Sequence, residues 1–290
     1  MANQPVQSRK TESFLIQVSL LDYLHVAVGT DVGLVRRHQE DAVGWRVATD
    51  PRVLAHKGAI FVLADGMGGH AAGEIASQMA VDRIVTAYYQ DPVIGITDSL
   101  RHALDRASQS IYVENRRANL GGRARMGTTT TAVVLRGHEL YVAHVGDSRA
   151  YLIRDRHIQQ LTEDHSWVQE QVRRGILSPR EARAHPRRHV ITRSLGQRAQ
   201  ANADYYPVRH IERGDVVLLC SDGLTAYLSD KEICQVVSQV HPEKSVVYLL
   251  DAANQRGGND NASLMVMKLE GPSLACVRTQ IESWFRGGNS

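Results

Sequence analysis

IFVLADGMGGH, residues 60–70, sets an apolar run against an acid, Asp65, and a glycine-rich segment with Gly66, Gly68 and Gly69. The run reads as a strand, and a strand that ends in Asp-Gly closes on a turn unless the rest of the chain gives the acid another task. It has a counterpart in VVLLCSDGL (216–224), a second apolar run ending in an Asp-Gly pair at Asp222 and Gly223. Asp260 stands in RGGNDN (256–261), directly before the last apolar run, ASLMVMKL (262–269). Glu40 and Asp41 precede AVGW (42–45) and follow the basic Arg36-Arg37-His38. Acids at four strand edges can converge on one rim of stacked sheets, where they repel unless a cation neutralises them. Glycine beside an acid has a use there, since without a Cβ the Gly66 carbonyl can approach a metal as an oxygen ligand. A donor set made only of oxygens suits Mg²⁺ or Mn²⁺ rather than zinc.

The runs HVAVGTDVG (25–33), TTTTAVVLRG (128–137), HELYVAHVGDSRAYLIRD (138–155) and GDVVLLCSD (214–222) read as further strands, the third as a hairpin across Gly146-Asp147. Helical spacing runs over 71–89 and from 96 to about 117, then over 166–174, 179–183, 230–240 and 242–254. Strands come in runs and do not alternate singly with helices, which predicts an α+β domain of antiparallel sheets with helices packed outside. Residues 1–22 are expected as a tail and lead-in and 23–270 as the domain. Residues 271–290 form a C-terminal tail in which CVRTQIESWF (276–285) has amphipathic spacing at Val277, Ile281 and Trp284.

Of the 290 residues, 43% are hydrophobic and 22% charged, an ordinary globular composition. A net charge of +3 from 34 basic and 31 acidic residues argues against a nucleic-acid partner. Cys220, Cys234 and Cys276 are far apart and suggest neither disulfides nor zinc, which fits a reducing compartment. No apolar stretch approaches the roughly 18 residues of a membrane span. A cytoplasmic location and a monomeric chain are the expectations.

Taken in order, DVGLVRRHQEDA (31–42), ADGMGGHAAGE (64–74), MGTTTT (126–131), HVGDSRAYLIRD (144–155), LTEDHSW (161–167), CSDGL (220–224) and GGNDN (257–261) resemble the metal-dependent serine/threonine protein phosphatases, the PPM or protein phosphatase 2C family, in their compact bacterial form. The resemblance spans about residues 24–269. It implies a four-layer αββα sandwich, with two antiparallel sheets flanked by antiparallel helix pairs. It also implies two Mn²⁺ or Mg²⁺ ions per chain: Asp65 bridging them, Asp222 and Asp260 completing one, Asp41 and the Gly66 carbonyl serving the other. Arg36 matches the family's phosphate-binding arginine, whose planar guanidinium can grip two phosphate oxygens. The implied reaction is hydrolysis of phosphoserine and phosphothreonine by water activated between the metals. The implied partners are phosphorylated proteins and a cognate Ser/Thr kinase or its substrates.

The sequence departs from the family's pattern in places. Met67 stands where the eukaryotic branch has a histidine. His70 matches a bacterial histidine, which reads either as a proton donor to the leaving alkoxide or as a helix-start residue packing on the turn. Arg125 precedes MGTT where bacterial members carry an acid, which puts a third metal site in doubt. Gln39 replaces a common Asn, and Glu40 either hydrogen-bonds metal waters or is a salt-bridged surface residue. Asp147 and Arg149 read as turn residues, and Asp164 as a helix cap. Residues 166–193, rich in arginine, resemble the flap of bacterial members, either meeting an acidic phosphoprotein or forming a solvated face. GMGGHA also satisfies a dinucleotide-binding pattern, but that reading leaves the other acids unexplained. The alternative from another class is a phosphatase-like module that binds phosphoproteins with weak or no turnover.

Overall fold

Strand β4 (Ala59–Met67) carries the stretch quoted above, and its side chains divide between two cores. Ile60, Val62 and Ala64 pack toward helices, while Ala59, Phe61 and Leu63 enter an interior shared with a second sheet. Burial on both faces explains the unbroken apolar run, where a strand with one wet face would alternate. Each fully buried Leu, Ile or Phe contributes roughly 1.5–3 kcal/mol to holding these layers together.

The computed structural model describes residues 14–21, 24–68, 71–92, 95–117 and 126–270. One sheet runs in the order β1 (Phe14–Leu21), β2 (Leu24–Asp31), β12 (Ala262–Leu269), β11 (Val216–Cys220), β8 (Arg149–Arg154), β9 (His157–Gln160). The other runs β10 (Asp204–His210), β7 (Glu139–Val145), β6 (Thr130–Arg136), β4, β3 (Asp41–Val47), with the short β5 (Gly127–Thr128) pairing the end of β4. Every neighbouring pair is antiparallel. Helices α2 (Ala71–Gln90) and α3 (Ile96–Arg117) cover the second sheet through Ile84, Tyr88, Leu100 and Leu104. Helices α7 (Asp230–Gln239) and α8 (Pro242–Gln255) cover the first through Ile233, Val237, Leu249 and Leu250. The result is the expected αββα sandwich with three apolar layers. Helix α1 (Pro51–Lys57) follows β3, α4 (Trp167–Arg173) and α5 (Pro179–Ala184) lie between β9 and β10, and the one-turn α6 (Asp222–Thr225) follows β11.

Two glycines let helices approach the sheets closely. A Cβ on Gly29 in β2 would stand 2.3 Å from Val246 Cγ1 of α8, and one on Gly44 in β3 would stand 2.3 Å from Val81 Cγ1 of α2. Both partners are valines on helices, whose χ1 is stiff, so neither can swing aside cheaply.

Three features differ from expectation. Sheet pairing begins at Phe14, inside the segment expected to lead into the fold, because FLIQVSLL pairs with β2 from Phe14↔Thr30 onward. The expected hairpin across Gly146-Asp147 is absent: β7 pairs β6 and β10, whereas β8 pairs β11 and β9. The chain crosses there from one sheet to the other, and a Gly-Asp closure looks the same in sequence whichever sheet the next strand joins. Gly146 has φ +112° and lies against Thr129, a geometry and a proximity that favour glycine. Strand β8 instead forms a tight hairpin with β9, across Asp155 (φ 49°) and Arg156 (φ 61°). Strand β10 escaped notice because Pro207 interrupts it, and Pro is tolerated there because β10 is an edge. The amphipathic stretch 276–285 lies outside the described residues.

Gly44→Ala should lower stability by about 1–3 kcal/mol in urea unfolding. Combining it with Val81→Ala should shrink that cost, a coupling measurable as a double-mutant cycle.

Candidate active site

The ends of β3 and β4 bring two of the acids directly opposite one another, Asp41 pairing Asp65 across the ladder. Asp41 is buried, its Oδ2 accepts from Ser221 Oγ at 2.8 Å, and its Oδ1 has no hydrogen-bond partner. Ser221 is the last residue before Asp222, so the same turn that holds Asp41 delivers the third acid. That turn is tied to β12 by Ser221 N donating to Ser263 O at 2.9 Å and Ser263 N donating to Ser221 Oγ at 2.9 Å.

The backbone of Asp65 is clamped by the threonine run. Thr129 Oγ1 accepts from Asp65 N at 3.1 Å, Thr129 N donates to Asp65 O at 2.8 Å, and Thr128 Oγ1 donates to the same carbonyl at 2.8 Å. Gly66 N donates to Glu40 O at 3.0 Å. A Cβ on Gly66 would stand 2.2 Å from Gly73 O and 2.5 Å from Glu40 O, so only glycine fits between α2 and the β3 entry. Glu40 is half-buried and lies against Gly73 at the start of α2.

Asp260 meets Arg36, whose Nη2 donates to Asp260 Oδ2 at 2.8 Å. The loop carrying Arg36 hangs on a residue that sequence reading passed over, Asn261. Its Oδ1 accepts from Glu40 N at 2.7 Å, and its Nδ2 donates to Val32 O at 2.9 Å and His38 O at 3.0 Å. Leu34 N donates to Gly258 O at 2.7 Å on the same side. The signal lay in the GGNDN motif, where only the acid drew attention.

Asp147 corrects a second expectation. It is buried, its Oδ1 has no hydrogen-bond partner, and its charge acts on Asp65 and Asp222. It is therefore a fifth member of the acidic rim, carried there by the sheet-to-sheet crossing. Asp164 does not cap α4, a task that falls to Ser166. It takes both Nε and Nη2 of Arg149, at 2.8 and 2.7 Å. The segment 166–193, with α4 and α5, walls a cavity of about 500 Å³ that Asp147 and Asp222 share with Arg183, Arg188 and His189. His189 Nδ1 is 3.9 Å from Asp222 Oδ2. Met67 lines a separate cavity of about 420 Å³ beside Met126 and Ser194.

Packing like charges together has the electrostatic consequence that a cation would relieve. Burial, with Asp222 and Asp260 adding to it and neighbouring serine hydroxyls opposing, pushes Asp41 up to about 7. Burial, then the charges of Asp41, Asp222, Asp147 and Asp260, hold Asp65 well above the usual carboxylate range. Asp147 is raised by burial and by Asp222 and Asp164, with Arg149 opposing. Among the described residues no three of these acids bring carboxylate oxygens within 4.8 Å of one another. Arg36 already engages Asp260. Orphaned oxygens on Asp41 and Asp147 and a donor set made only of oxygens fit a hard divalent cation. His70 and Arg125 lie outside the described residues.

A family model for protein phosphatase 2C matches residues 34–174. Protein phosphatase PhpP of Streptococcus pneumoniae is 36% identical over 250 residues, spanning 85% of this chain and 98% of that protein. The crystal structure of the Mycobacterium tuberculosis serine/threonine phosphatase PstP/Ppp superposes with a TM-score of 0.75 at 36% identity, covering 86% of this chain and all of that one. A catalytic-domain structure of PstP in complex with two manganese ions gives a TM-score of 0.72 at 34% identity, covering 86% of this chain and 99% of that one. No helix among the described residues is long and apolar enough to cross a membrane.

In chelator, Asp41→Asn should stabilise the protein at pH 8 by roughly 1–3 kcal/mol, because it removes a charge the fold disfavours. The folded carboxyl binds its proton up to about pH 7 and the unfolded one only to about 3.8, so stability falls as pH rises between those values. The gap between variant and wild type should accordingly narrow as pH falls below about 7 and close below about 3.8. Thermal melts across pH, with and without Mn²⁺, check both the gap and a smaller metal-induced gain in the variant.

Proposed function

The chain belongs to the protein phosphatase 2C family, and on that premise we propose that it hydrolyses phosphoserine and phosphothreonine esters of proteins at this acidic rim. Asp41, Asp65, the Gly66 carbonyl, Asp222 and Asp260 would hold two Mn²⁺ or Mg²⁺ ions. The observation that carries the reading is the meeting of these acids, from the ends of both sheets, around a buried carboxylate oxygen that has no protein partner. Held by these residues, a pair of divalent ions would lower the pKa of water and neutralise charge on phosphoryl oxygens.

The chain's own residues supply orientation and exclusion. Arg36 grips two phosphate oxygens and turns the ester so that the serine or threonine oxygen leaves away from the rim. To do so it exchanges Asp260 for phosphate, and Asp260 is freed to serve a cation. Asn261 keeps the Arg36 loop in register with Asp260 during that exchange, since the two residues are adjacent in the chain. Glu40 orders water at the rim, and His70 donates the proton that the leaving alkoxide needs. No side-chain nucleophile takes part. Arg183 and Arg188 line the cavity beside Asp222, together with His189, and offer positive charge to an acidic phosphoprotein. The natural substrates would be phosphoproteins, among them a cognate Ser/Thr kinase or its targets, met in the cytoplasm by a monomeric enzyme. Arg125 would weaken a third metal site by putting a cation where an acid is expected.

Purified protein should release phosphate from a phosphothreonine peptide with Mn²⁺ or Mg²⁺ and not with chelator, and Asp65→Asn should abolish release. Folded protein that binds Mn²⁺ yet releases nothing would turn the reading to a phosphoprotein-binding module. Arg36→Ala should cost about 10–100-fold in kcat/KM, the equivalent of losing charge-assisted hydrogen bonds to phosphate. Arg125→Asp should raise the rate at high Mn²⁺, and an unchanged metal dependence would remove Arg125 from the account.

A further inference from the structure

The first sheet has a second cluster of ligand-type side chains at the end remote from the acids. Strand β2 ends at Asp31, opposite Ala262 and near Asp260, whereas His25 at its start lies opposite Lys268. Six residues of strand separate the two ends, about 20 Å. At the far end His25, His241 and Glu270 each present one donor atom, all within 4.8 Å of one another. His25 comes from β2, Glu270 follows β12, and His241 is the residue that begins α8.

We propose that His25, His241 and Glu270 form a binding site for a zinc-class transition-metal ion, separate from the acidic rim and independent of the phosphatase reading. Two imidazoles and one carboxylate suit Zn²⁺, Co²⁺ or Ni²⁺, where the rim's oxygens suit Mn²⁺ or Mg²⁺. His25 Nε2 is 3.2 Å from Glu270 Oε2, and His241 Nε2 is 3.9 Å from Glu270 Oε1. Donors sharing one tetrahedral ion with bonds of about 2.0–2.1 Å stand roughly 3.3 Å apart, so small side-chain shifts close the site.

His241 is oriented for ligation: its Nδ1 lies 2.6 Å from Glu243 Oε2, the carboxylate-to-imidazole contact that positions metal-ligating histidines, and its Nε2 is on the side of Glu270. The two rings meet edge to face, with centroids 5.6 Å apart. Lys268 Nζ is 3.0 Å from Glu270 Oε1, the oxygen on the His241 side, and gives way as the ion takes that side, while Oε2 faces His25. Ligation of an ion through His25 Nε2 needs the ring's proton on Nδ1 and replaces the 3.2 Å contact of Nε2 with Glu270 by two bonds to the metal. All three ligands are partly exposed, which leaves an entry path and room for water as the fourth ligand. A bound ion would staple the start of α8 to β2 and to the end of β12.

The test uses the full chain, with Mn²⁺ in excess to occupy the acidic rim, titrated first with Co²⁺ and then with Zn²⁺. Co²⁺ should give a visible band of tetrahedral intensity at one equivalent, which Zn²⁺ then removes. His241→Ala and Glu270→Gln should each weaken Zn²⁺ binding by about 10–100-fold, the usual effect of losing a ligand or its support. Their folding is checked by circular dichroism. Glu270→Gln changes a residue just past the last strand, so it reports even where His241→Ala disturbs α8. No band in wild type, or equal Zn²⁺ affinity in wild type and folded variants, would overturn the site and leave a solvated ion-pair network.

Discussion

Like charge concentrated at one rim is the constraint around which the molecule is organised. Asp41, Asp65, Asp147, Asp222 and Asp260 come from both sheets, and burial with mutual repulsion raises the proton affinity of Asp41, Asp65 and Asp147. A fold that keeps such a cluster must oppose its repulsion with rigid backbone. The clamp of Thr128 and Thr129 on Asp65, the Ser221–Ser263 ties and the three hydrogen bonds of Asn261 provide it. These contacts are mostly between side chain and main chain, so the acids are aimed by the ends of strands and not by flexible side-chain networks.

The layers beneath the rim serve that precision. Strands apolar on both faces, such as β4 and β11, are fixed from both sides by helices and by the opposing sheet. Gly29 and Gly44 bring α8 and α2 into direct contact with β2 and β3. The rim therefore inherits the stiffness of three apolar layers, and the variable chemistry is left to the segment with α4 and α5. There Arg183, Arg188 and His189 share a cavity with Asp147 and Asp222, beside the place where phosphate is proposed to bind.

Much of this was legible before any coordinates, for identifiable reasons. Asp65, Asp222 and Asp260 each border a strongly apolar run and Asp41 opens another, so pattern pointed to them, whereas Arg36 was implied only by the resemblance to the phosphatase family. Helices α2, α3, α7 and α8 announced themselves by periodicity and were anticipated to within a residue or two. Asp147 was misread because a Gly-Asp turn carries no mark of which sheet its next strand joins. Asn261 and the serines were missed because their role is to bind main chain, which leaves no charge pattern in a sequence. The cluster of His25, His241 and Glu270 joins residues distant in the chain, and no local motif connects them.

The central claim is that the rim is built for two divalent cations on either side of Asp65. The most direct measurement is anomalous diffraction at the manganese edge from crystals of this chain grown with Mn²⁺. The account predicts two peaks sharing Asp65, one also within bonding distance of Asp222 and Asp260 and the other near the Gly66 carbonyl on the Asp41 side. A single peak, or none in contact with Asp65, would contradict it.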